Sequence, residues 1–180
     1  ISSSIASHNE SYRKFVFLGR AERRKGIIEL NEVLQKLILE KQNFKFEFIG
    51  PIPDSMKINH ESIMYHGEIR DAQKIKSLLS QNDVLVCPSW SEGFPNVILE
   101  AMASGLAIIA TNVGAIAAMV SDKNGWLIEP ANKDELKNAL SEAIQSKDLN
   151  SKKEKSLQLV QSTFNWDIIA KKTIDAISIK

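Results

Sequence analysis

Two glutamates lie eight residues apart in the segment SWSEGFPNVILEAMASG (residues 89–105), which otherwise has the composition of a buried core. Glu92 lies in a loop with glycine and proline, and Glu100 lies in the apolar helix that follows. An unpaired buried carboxylate costs several kcal/mol, so Glu100 needs hydrogen-bond donors if its helix face points inward. The vicinal hydroxyls of a sugar could donate one hydrogen bond to each carboxylate oxygen. The spacing alone leaves open whether Glu100 instead points to solvent.

The start of this predicted helix has the features of an anion-binding site. Pro95 can occupy the first helical turn, where its missing N–H costs nothing, and Gly93 loosens the turn before it. The free backbone N–H groups and the positive end of the helix dipole favour phosphate oxygens. The segment therefore combines acids that suit hydroxyl groups with a helix end that suits phosphate.

A basic loop, GRAERRKG (residues 19–26), follows the first predicted strand. Gly19 has no Cβ and lets a bound group approach the backbone closely. Arg20 and Lys25 supply a guanidinium and an ammonium group, a combination that suits a diphosphate. A turn of solvated charges is the alternative interpretation. We favour it for Arg23 and Arg24 but not for Arg20, which directly follows the strand end.

Alternating strand and helix patterns must position these two loops. Short apolar runs predict strands at about residues 15–18, 44–50, 62–67, 83–89, 106–111 and 125–130. Apolar residues at helical spacing predict helices at residues 27–39, 72–81 after an Asp71 cap, 96–104, 134–146, 153–161 and 166–178. Parallel neighbouring strands need a crossover helix, so the alternation predicts an α/β fold with a Rossmann-like, doubly wound parallel sheet and helices on both faces.

The topology of such a sheet brings the two loops together. Ligands bind at the carboxyl ends of the strands, at the point where the strand order reverses. If the strands lie in the common order 3-2-1-4-5, the first and fourth strands flank this crevice. Their following loops are GRAERRKG and PSWSEGFPN, so we expect them to face each other across one cleft.

Composition limits the classes of protein to which the chain could belong. Its 180 residues, 43% of them apolar, suit one domain, which we place at residues 11–180 after a polar linker or frayed end at residues 1–10. A net charge of +1 gives no field that would favour nucleic acid, and no apolar run is long enough to span a membrane. Cys87, the single cysteine, is interpreted as a buried residue in a reducing compartment rather than a nucleophile. The start on Ile1 suggests a fragment of a longer protein.

Five motifs occur in a recognisable order: GRAERRKG, MYHGEI, DVLVCPSWSEG, EGFPNVILEAMASG followed by IIATNVG, and NGWLIEP. Together they resemble the retaining glycosyltransferases of family four, which have the two-domain GT-B architecture. The glutamate segment is similar to the E-x7-E segment of that family, and the basic loop is similar to its phosphate loop. The resemblance covers about residues 15–166 and implies the C-terminal, donor-binding half of a GT-B fold.

The resemblance implies a role for each matching residue. Arg20 and Lys25 would hold the donor pyrophosphate, and Glu92 would contact the hydroxyls of the transferred sugar. These three are the implied catalytic residues, and Glu100 would bind the ribose hydroxyls. The other implied donor contacts are Gly19, Gly114, the backbone of Gly93, Phe94, Pro95 and Asn96 beside the sugar and phosphate, Val97 on the ribose, and Glu68 and Ile69 near the base.

The reaction that the resemblance implies needs no covalent intermediate on the protein. The family transfers the sugar with retention, by front-face attack in which the leaving phosphate helps to take the acceptor proton, and Glu92 would be a positioning and electrostatic group. Fixed cations and a helix terminus would stabilise the departing diphosphate. No metal and no cofactor are expected, because the chain has no Asp-x-Asp pair and its histidines lack metal-ligand spacing. For His66, near the cleft, packing is favoured over ligand contact. The expected donor is a sugar on UDP or GDP.

The family pattern is incomplete in this chain. Residues 114–118 read GAIAA where family members often have GGxPE, and Ala107 replaces a frequent proline, which puts the sugar preference in question. The acceptor-binding half is absent, so we expect the isolated chain to bind nucleotide weakly and to transfer no sugar. The implied partners are the N-terminal acceptor-binding domain of the same protein and an acceptor glycan or glycolipid, without nucleic acid. The 166–178 helix would dock on that domain or pack on its own sheet. We expect a cytoplasmic location, with peripheral association at the inner membrane face through the missing domain.

Other functions stay open at this point. A phosphorylase or a sugar-nucleotide epimerase would share the GT-B fold, although no lysine loop for pyridoxal phosphate is evident. A non-catalytic nucleotide-sugar-binding module would fit the altered GAIAAMV loop. A dinucleotide oxidoreductase is poorly supported, because no GxGxxG follows the first strand.

Overall fold

The fold is a six-stranded parallel sheet with helices on both faces, as the sequence predicted. A computed structural model of the chain describes residues 12–164. The strands are β1 Arg13–Leu18, β2 Phe44–Ile49, β3 Ile63–Gly67, β4 Val84–Cys87, β5 Ala107–Thr111 and β6 Gly125–Ile128. The helices are α1 Ile27–Leu39, α2 Ala72–Ser80, α3 Asn96–Ala103, α4 Ile116–Met119, α5 Lys133–Gln145 and α6 Leu149–Thr163, with 3-10 turns at Arg23–Lys25 and Asp54–Met56.

The strand order is β3-β2-β1-β4-β5-β6, and every neighbouring pair is parallel. This confirms the predicted order and adds β6 at the edge. The chain builds outward from β1 in one direction and then, from β4 onward, in the other. The reversal therefore lies between β1 and β4, and the loops after these two strands leave the sheet at its carboxyl edge.

Two hydrophobic cores sit on opposite faces of the sheet because successive strand residues point to opposite sides. Phe15, Phe46 and Phe48 pack with α1 and α5 on one face. Val16 and Leu85 pack with α2, α3 and α6 on the other. Each fully buried side chain of this size contributes about 1.5–3 kcal/mol of transfer free energy, so the sheet gives the two loops a rigid base.

The structure differs from the sequence prediction mainly at the ends of elements. β1 begins at Arg13 rather than near residue 15, because the backbones of Arg13 and Lys14 pair with β2 although their side chains are charged. The Arg13 guanidinium also donates to the Ser146 carbonyl at 2.9 Å. The four-residue α4 and the 3-10 turns were not predicted, because such short elements have no clear periodicity. The predicted 166–178 helix lies outside the described residues.

Asp71 caps α2 as predicted, since its Oδ1 accepts hydrogen bonds from the N–H groups of Gln73 at 2.9 Å and Lys74 at 3.3 Å.

Across residues 12–164, no helix has the length and apolar character needed to cross a membrane.

Candidate functional site

The loops after β1 and β4 touch at the carboxyl edge of the sheet, as the topology predicted. Gly26 ends the basic loop in a left-handed conformation with φ of 70°, and a Cβ on it would lie 2.0 Å from the Pro88 carbonyl oxygen. The Trp90 N–H donates to the Arg24 carbonyl at 2.7 Å. Only glycine fits this close approach without strain, so Gly26 fixes the relative position of the two loops.

Lys25 and Glu92 meet across this contact. The Lys25 ammonium donates to Glu92 Oε1 at 2.6 Å, and the Arg24 guanidinium lies 4.0 Å from Glu92 Oε2. The side chain of Glu92 is 9% exposed and that of Lys25 is 19% exposed, so water screens this pair less than a surface ion pair. The two residues to which the resemblance assigns sugar and pyrophosphate are therefore in direct contact with each other.

Glu92 is held from below by two residues that the sequence analysis did not identify. The Ser89 hydroxyl, in a residue only 1% exposed, donates to Glu92 Oε1 at 2.8 Å. The Thr111 hydroxyl, at the end of β5, donates to the Ser89 carbonyl. In the sequence, Ser89 and Thr111 stand out only as polar residues at the ends of otherwise apolar strands.

Gly114 packs tightly against the Glu92 loop. It has φ of 56°, and a Cβ on it would lie 1.9 Å from the Glu92 carbonyl oxygen. The next residue, Ala115, donates its N–H to the Gly93 carbonyl at 2.9 Å. The GAIAAMV segment therefore still supports the acidic loop through its glycine, although it lacks the acidic residue of the family pattern.

Two arginines of the basic loop, Arg20 and Arg23, have different surroundings. The side chain of Arg20 is 78% exposed, and its guanidinium lies 3.8 Å from Glu22. Arg23 stacks 3.7 Å from the centre of the Trp90 ring and pairs with Glu29 at 2.8 Å. The Arg23 side chain is half exposed, and beyond the predicted turn of solvated charges it also links the two loops.

Arg24 keeps the character of a surface charge. Its side chain is 53% exposed and pairs with Glu22 at 2.7 Å. Of the three arginines in this loop, Arg20 is thus the one whose guanidinium is most open to a ligand.

The start of α3 corrects the predicted place of Pro95. The helix begins at Asn96, and Pro95 is the residue before it, with φ of −75° and ψ of 102°. The proline ring fixes φ close to the helical value, and its carbonyl accepts the Ile98 N–H at 3.0 Å. A Cβ added to Gly93 would meet no atom within 4 Å. The binding of an anion at this helix end stays a prediction.

Glu100 lies at the rim of a groove between α2 and α3. The groove has a volume of about 380 Å³ and is lined by Ala72, Gln73, Ile75, Lys76, Leu79, Glu100, Ala103 and Ser104. The Glu100 carboxylate has no hydrogen-bond or ion-pair partner within the described part of the chain. Much of the residue is exposed, yet burial of the rest raises the pKa of its carboxyl group. Glu100 therefore points neither fully inward nor freely into solvent.

The other predicted site residues surround these two acids. Gly19 donates its N–H to the Ile49 carbonyl at 2.9 Å at the end of β1. Glu68 and Ile69 lie just before α2, with Glu68 exposed and 3.3 Å from Arg70, and Ile69 packed on the second core. Val97 is half-buried on α3, and Phe94 is 52% exposed. The contacts of these residues with a donor stay predictions.

Two residues outside the cleft have ordinary structural roles. His66 Nε2 lies 2.8 Å from Glu47 on the neighbouring strand, which agrees with packing rather than ligand binding. Cys87 is buried, and this burial raises the pKa of its thiol, which agrees with a small core residue rather than a nucleophile. Within residues 12–164, no group of three or more His, Cys, Asp or Glu side chains is arranged to hold a metal ion.

Comparison with known proteins identifies relatives that share this architecture. The putative teichuronic acid biosynthesis glycosyltransferase TuaC of Bacillus subtilis is 33% identical over 132 residues, which cover 73% of this chain and 32% of that protein. The C-terminal domain of the group 1 glycosyl transferase LpcC from Francisella tularensis superposes with a TM-score of 0.75 at 26% identity, covering 86% of this chain and 87% of that one.

A structure solved with UDP also shares the fold. Anabaena HepE in complex with UDP has a TM-score of 0.77 at 18% identity, covering 92% of this chain and 48% of that one. The chain spans about a third to a half of the length of the curated relatives that it matches. The model of the family described as Glycosyl transferases group 1 matches residues 12–146, and the chain therefore belongs to that family.

Proposed function

We propose that this chain is the donor-binding domain of a retaining glycosyltransferase. The protein would transfer a sugar from a nucleotide-diphosphate sugar to an acceptor glycan or glycolipid. One observation carries the proposal: the basic loop and the acidic loop meet at the switch point of the sheet, with Lys25 and Glu92 in contact. The complexes of HepE with UDP and UDP-glucose and the teichuronic acid pathway named for TuaC support this choice of donor and product class.

The diphosphate would lie between the basic loop and the start of α3. Lys25 lies at the junction of the two loops, and Arg20 is exposed beside it. The N–H groups of Asn96 and Val97 have no acceptor within residues 12–164, so they are available to phosphate oxygens. Together these donors would stabilise the charge that grows on the leaving diphosphate during transfer. UDP or GDP is the expected nucleotide, and the proposal requires neither a metal nor a cofactor.

The nucleoside would lie further along α3, beside Glu100. The free carboxylate could accept hydrogen bonds from both ribose hydroxyls, which would remove the cost of leaving it unpaired. The groove between α2 and α3 falls within the usual volume range of ligand pockets, about 300–1,000 Å³. Ala72 and Gln73, the first residues of α2, line the groove, and Glu68 and Ile69 precede them in the chain, so we assign the base to that end.

Glu100→Ala tests the ribose assignment. We expect it to weaken UDP and GDP about tenfold, since a hydrogen bond to a charged group contributes about 1.5–3 kcal/mol. The mutant should also lose most of its preference for UDP over 2′-deoxy-UDP, as measured by calorimetry. A folded mutant that binds UDP with unchanged affinity would overturn the assignment.

Arg20→Ala tests the phosphate assignment. We expect about a tenfold loss of affinity for UDP and no change for uridine, because only the diphosphate can use the guanidinium. Arg24→Ala is the matched control, since Arg24 belongs to the same loop but pairs with Glu22. Equal losses for UDP and uridine in Arg20→Ala would contradict a phosphate role.

In the proposed reaction Glu92 positions the transferred sugar, and the acceptor attacks from the face of the departing phosphate. The acceptor would bind to a second domain that completes the cleft. The chain spans 32% to 46% of the length of such relatives, which supports a second domain in the whole protein. We therefore propose that residues 11–180 form the donor domain of a cytoplasmic enzyme. That enzyme would work at the inner face of the membrane, and this chain alone would transfer no sugar.

A non-catalytic nucleotide-sugar-binding module is the second candidate. It is favoured by one observation, the absence of an acidic residue after Gly114 in the segment that packs on Glu92. Consumption of a sugar nucleotide by the protein that carries this domain separates the two. The enzyme releases nucleoside diphosphate in the presence of acceptor, and the module binds the donor without change. A sugar-nucleotide epimerase or a phosphorylase would give an isomerised donor or a sugar phosphate instead.

A further inference from the structure

A chain of hydrogen bonds from Thr111 through Ser89 supports the Glu92 carboxylate. Its Oε1 atom accepts from two donors, the Lys25 ammonium at 2.6 Å and the Ser89 hydroxyl at 2.8 Å. The first donor is a flexible cation that is partly open to the cleft. The second is a buried hydroxyl, whose backbone is fixed by a hydrogen bond from Thr111.

These two donors are not equivalent when a diphosphate arrives. Under the proposed function Lys25 is needed by the phosphate oxygens, which carry more negative charge than one carboxylate. Glu92 Oε1 already accepts a hydrogen bond from that ammonium, so the diphosphate and Glu92 would compete for it. Ser89 is neutral and buried, so the ligand cannot draw it away.

We propose that Lys25 is exchanged from Glu92 to the diphosphate when the donor binds, and that Ser89 is the positioning residue that then holds the Glu92 carboxylate toward the sugar. The inference rests on the proposed function. It adds to that function a positioning role for Ser89 and a Lys25–Glu92 contact that changes when the donor binds. Release of Lys25 leaves the Glu92 carboxylate with one oxygen held by Ser89 and with free acceptor capacity for a sugar hydroxyl.

The exchange has a consequence that a purely structural ion pair would not have. Removing the charge of Glu92 should improve the binding of a nucleoside diphosphate that carries no sugar, because Lys25 no longer has to be released. Glu92→Gln keeps the shape and one acceptor oxygen, and we expect it to bind UDP about three- to tenfold more tightly. Transfer should nevertheless fall, because the sugar loses a charged partner.

A double-mutant cycle with Lys25→Met separates exchange from simple repulsion between Glu92 and phosphate. Repulsion alone would give Glu92→Gln the same gain with or without Lys25. The exchange predicts a gain in the wild-type background and less than about a twofold gain in the Lys25→Met background. NMR titration with UDP and GDP measures the affinity gain in both backgrounds, because it detects millimolar affinities.

Ser89→Ala tests the positioning role. In the protein that carries this domain, we expect UDP affinity to stay within about twofold and kcat for sugar transfer to fall about tenfold, the scale of one hydrogen bond to a charged group. A merely structural role would instead lower the unfolding free energy and change both quantities together.

The outcomes are distinct. If the wild-type chain binds neither UDP nor GDP, the proposed function fails and this inference fails with it. If the wild type binds but Glu92→Gln binds no more tightly, or gains equally in both backgrounds, the exchange alone is wrong. If Ser89→Ala retains full kcat, Ser89 does not position Glu92.

Discussion

Replacing Lys25 by methionine is expected to lower the rate of sugar transfer by about two to three orders of magnitude, the cost usually seen when a preorganised donor to a developing anion is removed. The departing diphosphate loses the Lys25 ammonium, the cation held at the junction of the two loops. Methionine keeps most of the length and apolar stem of lysine, so packing changes little. Steady-state assay of the protein that carries this domain, with its sugar nucleotide and acceptor, measures the effect.

Lys137→Met is the matched control for this prediction. Lys137 pairs with Glu40 at 2.5 Å on the surface between α5 and α1, so the same chemical change falls outside the cleft. We expect transfer in this variant to stay within about twofold of the wild type, as for most surface ion pairs. Normal transfer by a folded Lys25→Met protein would remove Lys25 from the diphosphate site.

Gly26→Ala is expected to lower the free energy of unfolding by about 3 kcal/mol, the upper part of the range for a strained backbone residue. Two costs combine at this position. The residue has φ of 70°, and the new Cβ would lie 2.0 Å from the Pro88 carbonyl oxygen, so the two loops must separate. Because Lys25 and Glu92 lie on these loops, UDP binding should weaken as well. Urea unfolding followed by circular dichroism gives the first quantity and calorimetry the second.

Gly93→Ala serves as the control, because it lies in the facing loop with no atom within 4 Å of the added Cβ and without a positive φ. Its unfolding free energy should stay within about 0.5 kcal/mol of the wild type, as for most exposed substitutions. Equal stability of the Gly26→Ala and Gly93→Ala proteins would show that the loops are not fixed by the contact at Gly26.

Much of the fold followed from apolar periodicity. β4 and β5 are runs of almost wholly apolar residues, as buried parallel strands require, and α1 begins and ends at the predicted residues. The start of β1 could not be found in this way, because Arg13 and Lys14 join the sheet through backbone hydrogen bonds that carry no side-chain signal. The topology rule then placed the two functional loops correctly, because it depends only on the order of the strands.

The details of the site were less accessible from the sequence. Loop chemistry suggested a diphosphate for Lys25, and the resemblance implied a sugar for Glu92. Their direct contact depends on the left-handed turn at Gly26, which periodicity does not show. Stacking of Arg23 on Trp90 likewise depends on the distance between two loops that are far apart in sequence. The sequence did not indicate a role for Ser89, because a serine after a buried strand is usually only a strand end. Its role depends on the hydrogen bond from its hydroxyl to Glu92, which only the structure shows.

The central claim is that the junction of the β1 and β4 loops binds the diphosphate of a sugar nucleotide. Calorimetric titration of the wild-type chain with UDP, GDP and ADP, each compared with its nucleoside, tests it most directly. We predict that UDP or GDP binds at least about tenfold more tightly than its nucleoside, since several charge-assisted hydrogen bonds reach only the diphosphate. Binding of a nucleoside as tight as that of its diphosphate, or no binding of any of the three nucleotides, would contradict the claim.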